Sequence, residues 1–173
     1  RQMMEASSAA SKTLVGRVAE QKELQEHLNA LCAGQNSFVV IEADAGVGKS
    51  QLASAFMTQA RAANVLTLFG TAEAIEQATP FFAWRAVLRT LLDVPESLER
   101  AAARQRVLPL LDAHALTNFA PLLDSIVPLD FAENALTAQM SGEVRTENLN
   151  ALVIRLLQAR AASESLLLVV EDA

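Results

Sequence analysis

A second cysteine is missing from this 173-residue sequence, so Cys32 has no internal disulfide partner; such usage fits a reducing, cytoplasmic setting. Basic charge is also short. Fourteen Lys+Arg stand against 20 Asp+Glu, a net charge of −6, and the positive footprint of a nucleic-acid binder is missing. Direct contact with nucleic acid is therefore not expected. The longest aliphatic run, Leu166 to Val170, falls far below the roughly 18 residues of a membrane helix, and no signal-peptide pattern opens the chain. Neither a membrane span nor secretion is expected. With no internal repeat and no sustained heptad, solenoids and coiled coils drop out as well.

Hydrophobic residues make up 51% of the chain and the mean hydropathy is +0.23, enough to build a packed core. The length suits one domain. Residues 1–13, with Met3, Met4, Ser7, Ser8 and Ser11 in no hydrophobic period, read as a linker, and the fold is expected over 14–173. The start at Arg1 without an initiator methionine, and the stop at Ala173 directly after an apolar run, predict a piece of a longer protein.

Val18, Leu24, Leu28, Leu31 and Cys32 fall on one face of a helix starting near Arg17, and Gly34 supplies a left-handed residue to end it. Ser37 to Ala43, SFVVIEA, is a short apolar, β-branched run of the kind found in buried parallel strands; helix formers follow from Gln51 to Ala62. The order is strand, tight turn, helix. Further strands are predicted at Val65–Phe69, closed by Gly70, and at Leu166–Glu171. Three such strands separated by helices predict an α/β fold with a parallel sheet.

The chain between Gly70 and Leu166 far exceeds the dozen or so residues of a one-helix crossover, so a helical insertion is expected over about 73–143. All five prolines (Pro80, Pro95, Pro109, Pro121, Pro128) fall there and are expected at the starts of short helices. The clearest case is Thr79 as N-cap and Pro80 as first helical residue before FFAWRAVLRTLL. In the last helix Leu149, Leu152, Val153, Leu156 and Leu157 follow the spacing of a buried stripe, which is expected to pack on the sheet.

The strongest chemical signal is Ala43-Asp-Ala-Gly-Val-Gly-Lys-Ser50, which fits the phosphate-binding pattern G-x-x-x-x-G-K-[ST] except for Ala43 at its first glycine. Gly46 and Gly48 let the backbone wrap close to an anion, and the N–H groups of the following helix N-terminus point at it. Lys49 would reach the β- and γ-phosphates, and the Ser50 hydroxyl suits a Mg²⁺ coordination position. No lysine follows Lys49 anywhere in the chain. The alternative is a glycine-containing turn with a solvated lysine; the flanking apolar run and helix formers favour the phosphate loop. Ala43 would stiffen the loop if its position required a positive φ.

The second signal is Leu166-Leu-Leu-Val-Val-Glu-Asp172, an apolar strand delivering two acids at its C-terminal end, the edge where open α/β sheets bind ligands. It has the form of a Walker B strand. Glu171 then stands where an acid completes a Mg²⁺ shell and Asp172 where an acid orients the attacking water; the alternative is a strand ending in solvated acids. His27, His114 and Cys32 lack metal-ligand spacing, and Trp84 with Phe81 and Phe82 reads as core. Ser50 has no nucleophile elbow, which removes acyl transfer, and Arg85, Arg89 and Arg145 are expected on the surface.

Leu14-Val-Gly-Arg17 ahead of an amphipathic helix, then VVIEADAGVGKSQL, TPFFAWRAVLRTLL, MSGEVRTENLNALVIRLLQ and LLLVVEDA, form an ordered set. The set resembles the AAA-like, STAND-class ATPase module of large multidomain class III adenylyl cyclases, and is similar to modules of LuxR-type transcriptional regulators. It covers about Leu14 to Ala173, with Pro128 to Gln158 pointing toward the cyclase branch. The resemblance implies a P-loop NTPase fold, a three-layer parallel sheet of which this chain holds the first three strands. It implies ATP or ADP with Mg²⁺ at Gly46, Val47, Gly48, Lys49 and Ser50, and Val15, Gly16 and Arg17 near the adenine. Glu171 and Asp172 carry over as the Mg²⁺ and hydrolytic acids.

Two departures stand out: Ala43 replaces the usual glycine, and the chain stops before the histidine-tryptophan that usually follows the paired acids. Later strands, sensor residues and the C-terminal helical domain are also absent from it. The resemblance further implies an attached cyclase or other signalling domain, and a central place in the sheet for the phosphate-loop strand. An exposed sheet edge then predicts a marginal or self-associating chain.

The leading expectation is an ATP-binding module, a slow Mg²⁺-dependent ATPase whose nucleotide state regulates an attached domain. Its rivals are a non-hydrolysing nucleotide-gated interaction module, the ATPase module of a LuxR-type regulator, and a degenerate scaffold that binds no nucleotide.

Overall fold

The computed structural model describes residues 17–44, 46–71 and 81–171. The chain divides into two compact units, Arg1–Thr58 and Gln59–Ala173. The expected linker over 1–13 lies outside the described residues.

In the first unit, helix α1 (Val18–Cys32) buries Leu24 and Leu28, one turn apart on one face. Its buried stripe is narrower than expected. Val18 is 76% exposed and Cys32 is exposed, because both sit at the helix ends. The helix closes as predicted at Gly34 (φ +80°): the Gln35 N–H donates to the Ala30 carbonyl at 2.9 Å and the Gly34 N–H to that of Leu31 at 3.0 Å. Helix α2 (Lys49–Ala62) starts two residues earlier than the composition indicated.

The strand expected over Ser37–Ala43 does not form. Residues 35–44 hold no regular structure, and Phe38 and Val40 are 89% and 63% exposed. A strand exists through its ladder, and this segment makes no strand-to-strand hydrogen bond among the described residues. Its apolar, β-branched composition is a preference for a pleated surface; without a paired neighbour that preference has nothing to act on.

In the second unit, β1 (Leu66–Thr71) and β2 (Leu166–Glu171) pair in parallel, in register from Leu66 opposite Leu166 to Thr71 opposite Glu171. The fold is thus mixed α/β with a small parallel sheet, and two strands rather than three make the sheet among the described residues. Between β1 and β2 run α3 (Phe82–Leu91), α4 (Arg100–Ala113), 3-10 helices at Thr117–Ser125 and Thr137–Gln139, and α5 (Gly142–Ala161).

Helix α3 packs on β1, and its Val87, Leu88 and Leu91 join Leu68 of the strand in a core with Val107 and Leu111 of α4. Each of these leucines is at most 1% exposed and contributes about 2 kcal/mol through burial. Trp84 and Phe81 pack against this core as expected, whereas Phe82 does not join it and its ring stands 5.9 Å from the Arg85 guanidinium. Helix α5 buries Leu149, Leu152, Val153 and Leu156, the anticipated stripe, but against the 3-10 helix Thr117–Ser125 and α3 rather than chiefly the sheet. Leu122 and Leu123, both fully buried, fill the layer that the sheet was expected to occupy.

The proline rule fails at all four described prolines: Pro109 lies inside α4, Pro121 inside the 3-10 helix, and Pro95 and Pro128 in irregular segments with no helix starting at them. Pro109 is tolerated because it and Gln105, whose carbonyl loses a donor, both face solvent. Thr79 and Pro80 lie outside the described residues, and α3 begins only at Phe82, since Phe81 takes a left-handed φ of +63° that no α-helix interior accommodates. Among the described residues no helix is long and apolar enough to cross a membrane.

Candidate functional site

The loop that follows the exposed segment has the conformation its glycines permit. Gly46 and Gly48 take φ of +81° and +88°, and a Cβ at Gly46 would meet nothing within 4 Å. The requirement there is backbone conformation rather than space; any other L-residue would be strained by about 1 kcal/mol. Ala43 is not among the residues with positive φ, so the condition under which it would stiffen the loop is not met.

Position 43 instead supplies a carbonyl. The Lys49 ammonium donates to the Ala43 carbonyl oxygen, and to that of Asp44 at 3.1 Å, which folds the lysine back over the start of the loop. No carboxylate pairs with Lys49 among the described residues, so its positive charge stays uncompensated. Lys49 and Ser50 open α2, and the Leu52 N–H bonds back to the Gly48 carbonyl at 3.0 Å. The N–H groups ahead of it have no intrahelical acceptor and carry the positive end of the helix dipole.

Arg17, just before α1, donates from its guanidinium to the Val47 carbonyl at 2.7 Å and so ties that helix to the tip of the loop. Arg17 thus bonds to the loop at Val47, and Lys49 separately to its start at Ala43 and Asp44. The resemblance implied a place for Arg17 near the adenine; its bond to the loop backbone was not anticipated. Val15, Gly16 and Asp172 lie outside the described residues.

Glu171 is the last residue of β2, in the second unit, half-buried and opposite Thr71. Among the described residues no three His, Cys, Asp or Glu side chains cluster as metal ligands. The fit to an anion is direct: an unpaired ammonium, two left-handed glycines and a helix N-terminus converge on one loop.

Of the three arginines expected on the surface, Arg85 is exposed and Arg89 and Arg145 are half-buried. Arg85 donates to the Ile126 carbonyl at 3.2 Å, and Arg145 meets Glu133 at 2.6 Å and the Thr137 carbonyl at 3.2 Å. Arg145 and Thr137, whose hydroxyl also donates to Glu133, hold that carboxyl below its ordinary value of 4.5.

A family model described as an AAA ATPase domain matches residues 13–173. No curated protein and no solved structure matches the chain.

Proposed function

The chain belongs to the AAA ATPase domain family, a nucleotide-binding P-loop module, and on that premise we propose that it binds ATP and ADP with Mg²⁺ through the loop Ala43–Ser50. The observation that carries this reading is Lys49, uncompensated by any carboxylate among the described residues and held over a loop with two left-handed glycines. Gly46, Val47 and Gly48 wrap the phosphates with backbone N–H groups, and Lys49 moves from the carbonyls of Ala43 and Asp44 onto phosphate oxygens. Ser50 and Glu171 are the residues that would hold Mg²⁺, which when bound offsets phosphate charge. Val15, Gly16 and Arg17 border the adenine, with Arg17 fixing the loop tip.

In this reading the module turns over ATP slowly, Asp172 orienting the attacking water while Lys49 stabilises developing charge. Its nucleotide state regulates an attached signalling domain in a multidomain protein. The ordered motifs from Leu14 to Ala173 support an adenylyl cyclase as that protein.

The test is equilibrium binding of Mg·ATP and Mg·ADP to the chain beside its Lys49→Ala variant. Loss of at least about tenfold in affinity is expected, since a charge-assisted contact to phosphate disappears. Equal affinity in the two proteins would remove Lys49 from the site. In the full-length protein Asp172→Asn should abolish ADP production with binding kept; unchanged production would overturn the hydrolytic role.

A further inference from the structure

A cleft in the second unit is lined by three arginines and three carboxylates, of which only Arg100 and Asp130 form an ion pair among the described residues. It lies between the end of α3, the first turns of α4 and residues 128–130, with a volume of about 610 Å³, inside the usual range of small-molecule sites. Arg100 in its wall is paired with Asp130 at 2.9 Å. Arg104 is different: its guanidinium donates to the carbonyls of Leu129 at 3.2 Å and Asp130 at 2.7 Å, contacts that fix the side chain and leave its charge uncompensated.

Arg89 is the least satisfied group. It reaches the Val94 carbonyl only at 3.5 Å, and its Nε is buried with no hydrogen-bond partner among the described residues. Glu96 and Glu99 line the same cleft, and neither makes an ion pair or a side-chain hydrogen bond among the described residues. Two guanidinium and two carboxylate charges thus share one cleft without pairing.

A ligand of one sign would satisfy one pair of charges and be repelled by the other; a zwitterion matches both. Leu98 and Pro128 add apolar surface between them. We infer that this cleft binds a zwitterion of the amino-acid class, its carboxylate on Arg89 and Arg104, its ammonium toward Glu96 and Glu99, and an apolar side chain against Leu98 and Pro128. The site shares no residue with the phosphate loop and stands or falls apart from it.

The 173-residue chain is titrated with L-phenylalanine and L-leucine, with N-acetyl-L-phenylalanine, with L-phenylalaninamide, and with inorganic phosphate, read by amide chemical shifts. Saturable binding of an amino acid is expected, with shifts at residues 94–104 and 128–130 and a loss of about tenfold when either end is blocked. Arg89→Gln should weaken binding by a similar factor. Glu99→Gln, an exposed residue whose side chain makes no cap bond, keeps the fold and carries the test should Arg89→Gln fail to fold. No saturation by either amino acid at about 20 mM would overturn the proposal. So would equal binding of the blocked compounds, or binding of phosphate alone, which would mark a plain anion site.

Discussion

Gly70→Ala is expected to destabilise the second unit by about 1–3 kcal/mol through overpacking. A Cβ on Gly70 would stand 2.5 Å from the carbonyl oxygen of Ala83, 3.1 Å from Val87 Cγ2 and 3.3 Å from the Ala83 carbonyl carbon. Ordinary carbon–oxygen contacts begin near 3.3 Å, so α3 must retreat by about 0.8 Å. Val87, Leu88 and Leu91 on that helix are all within 1% of full burial, and a retreat opens gaps beneath them. Gly70 has no positive φ, so alanine suits its backbone and recovers about 0.5–1 kcal/mol of chain entropy. The steric cost prevails because the nearest atom belongs to a helix backbone and has no rotamer to change.

Trp84, the single tryptophan, sits on α3 against the core, so its fluorescence in a urea titration reads this contact directly. The midpoint should fall with the slope unchanged. Adding Val87→Ala to Gly70→Ala relieves the 3.1 Å contact and not the 2.5 Å one, so the coupling should stay below about 0.5 kcal/mol. An unchanged or raised midpoint for Gly70→Ala, or full rescue by the side-chain trim, would refute the reasoning.

Asp124→Ala removes a carboxylate that accepts the N–H groups of Leu129 at 2.5 Å, Asp130 at 2.9 Å and Phe131 at 2.8 Å. A loss of about 2 kcal/mol is expected, with faster hydrogen exchange at these three amides; unchanged protection would count against the carboxylate as their anchor. Glu133 titrates below its ordinary value because Arg145, and next Thr137, bond its charged form. The lowered folded value means that its stabilisation is fully present above about pH 4.5 and is lost as pH falls through that lower value. Melting temperatures of the chain and of Glu133→Gln should therefore differ near pH 6 and converge as acid is added; parallel curves would remove the pair from the account. Ala43→Gly should leave Mg·ATP affinity within about threefold, since Ala43 has no positive φ, and a large gain measured in the same binding assay would show that glycine's freedom is needed there.

What the sequence made legible is what the chain decides locally. The phosphate loop is eight consecutive residues whose glycines fix their own turn, and Gly34 ends α1 by the same means. The buried stripe of α5 follows from spacing alone, yet what covers it depends on the 3-10 helix Thr117–Ser125, whose position no periodicity encodes. Ser37–Ala43 failed as a strand for a related reason: pairing is a relation between segments, and the run names only one of them.

The other helix ends teach the same distinction more sharply. Helices α2, α3 and α4 finish like α1, with one left-handed residue and a bond from the next N–H back five positions, at Asn64, Asp93 and Ala115. Only α1 uses glycine, so glycine counting found one of four. The residue that follows each of the other three, Val65, Val94 or Leu116, is at most 4% exposed. Burying that residue offsets the roughly 1–2 kcal/mol that a left-handed non-glycine residue costs, so the signal to read was the apolar residue after the cap. Conformation at a cap can be obtained from a neighbour's burial. At Gly46 and Gly48 no such neighbour exists, as both lie at an open loop tip with no Cβ contact under 3.7 Å, and there the glycines are irreplaceable in a way that Ala43, which contributes only its carbonyl, is not.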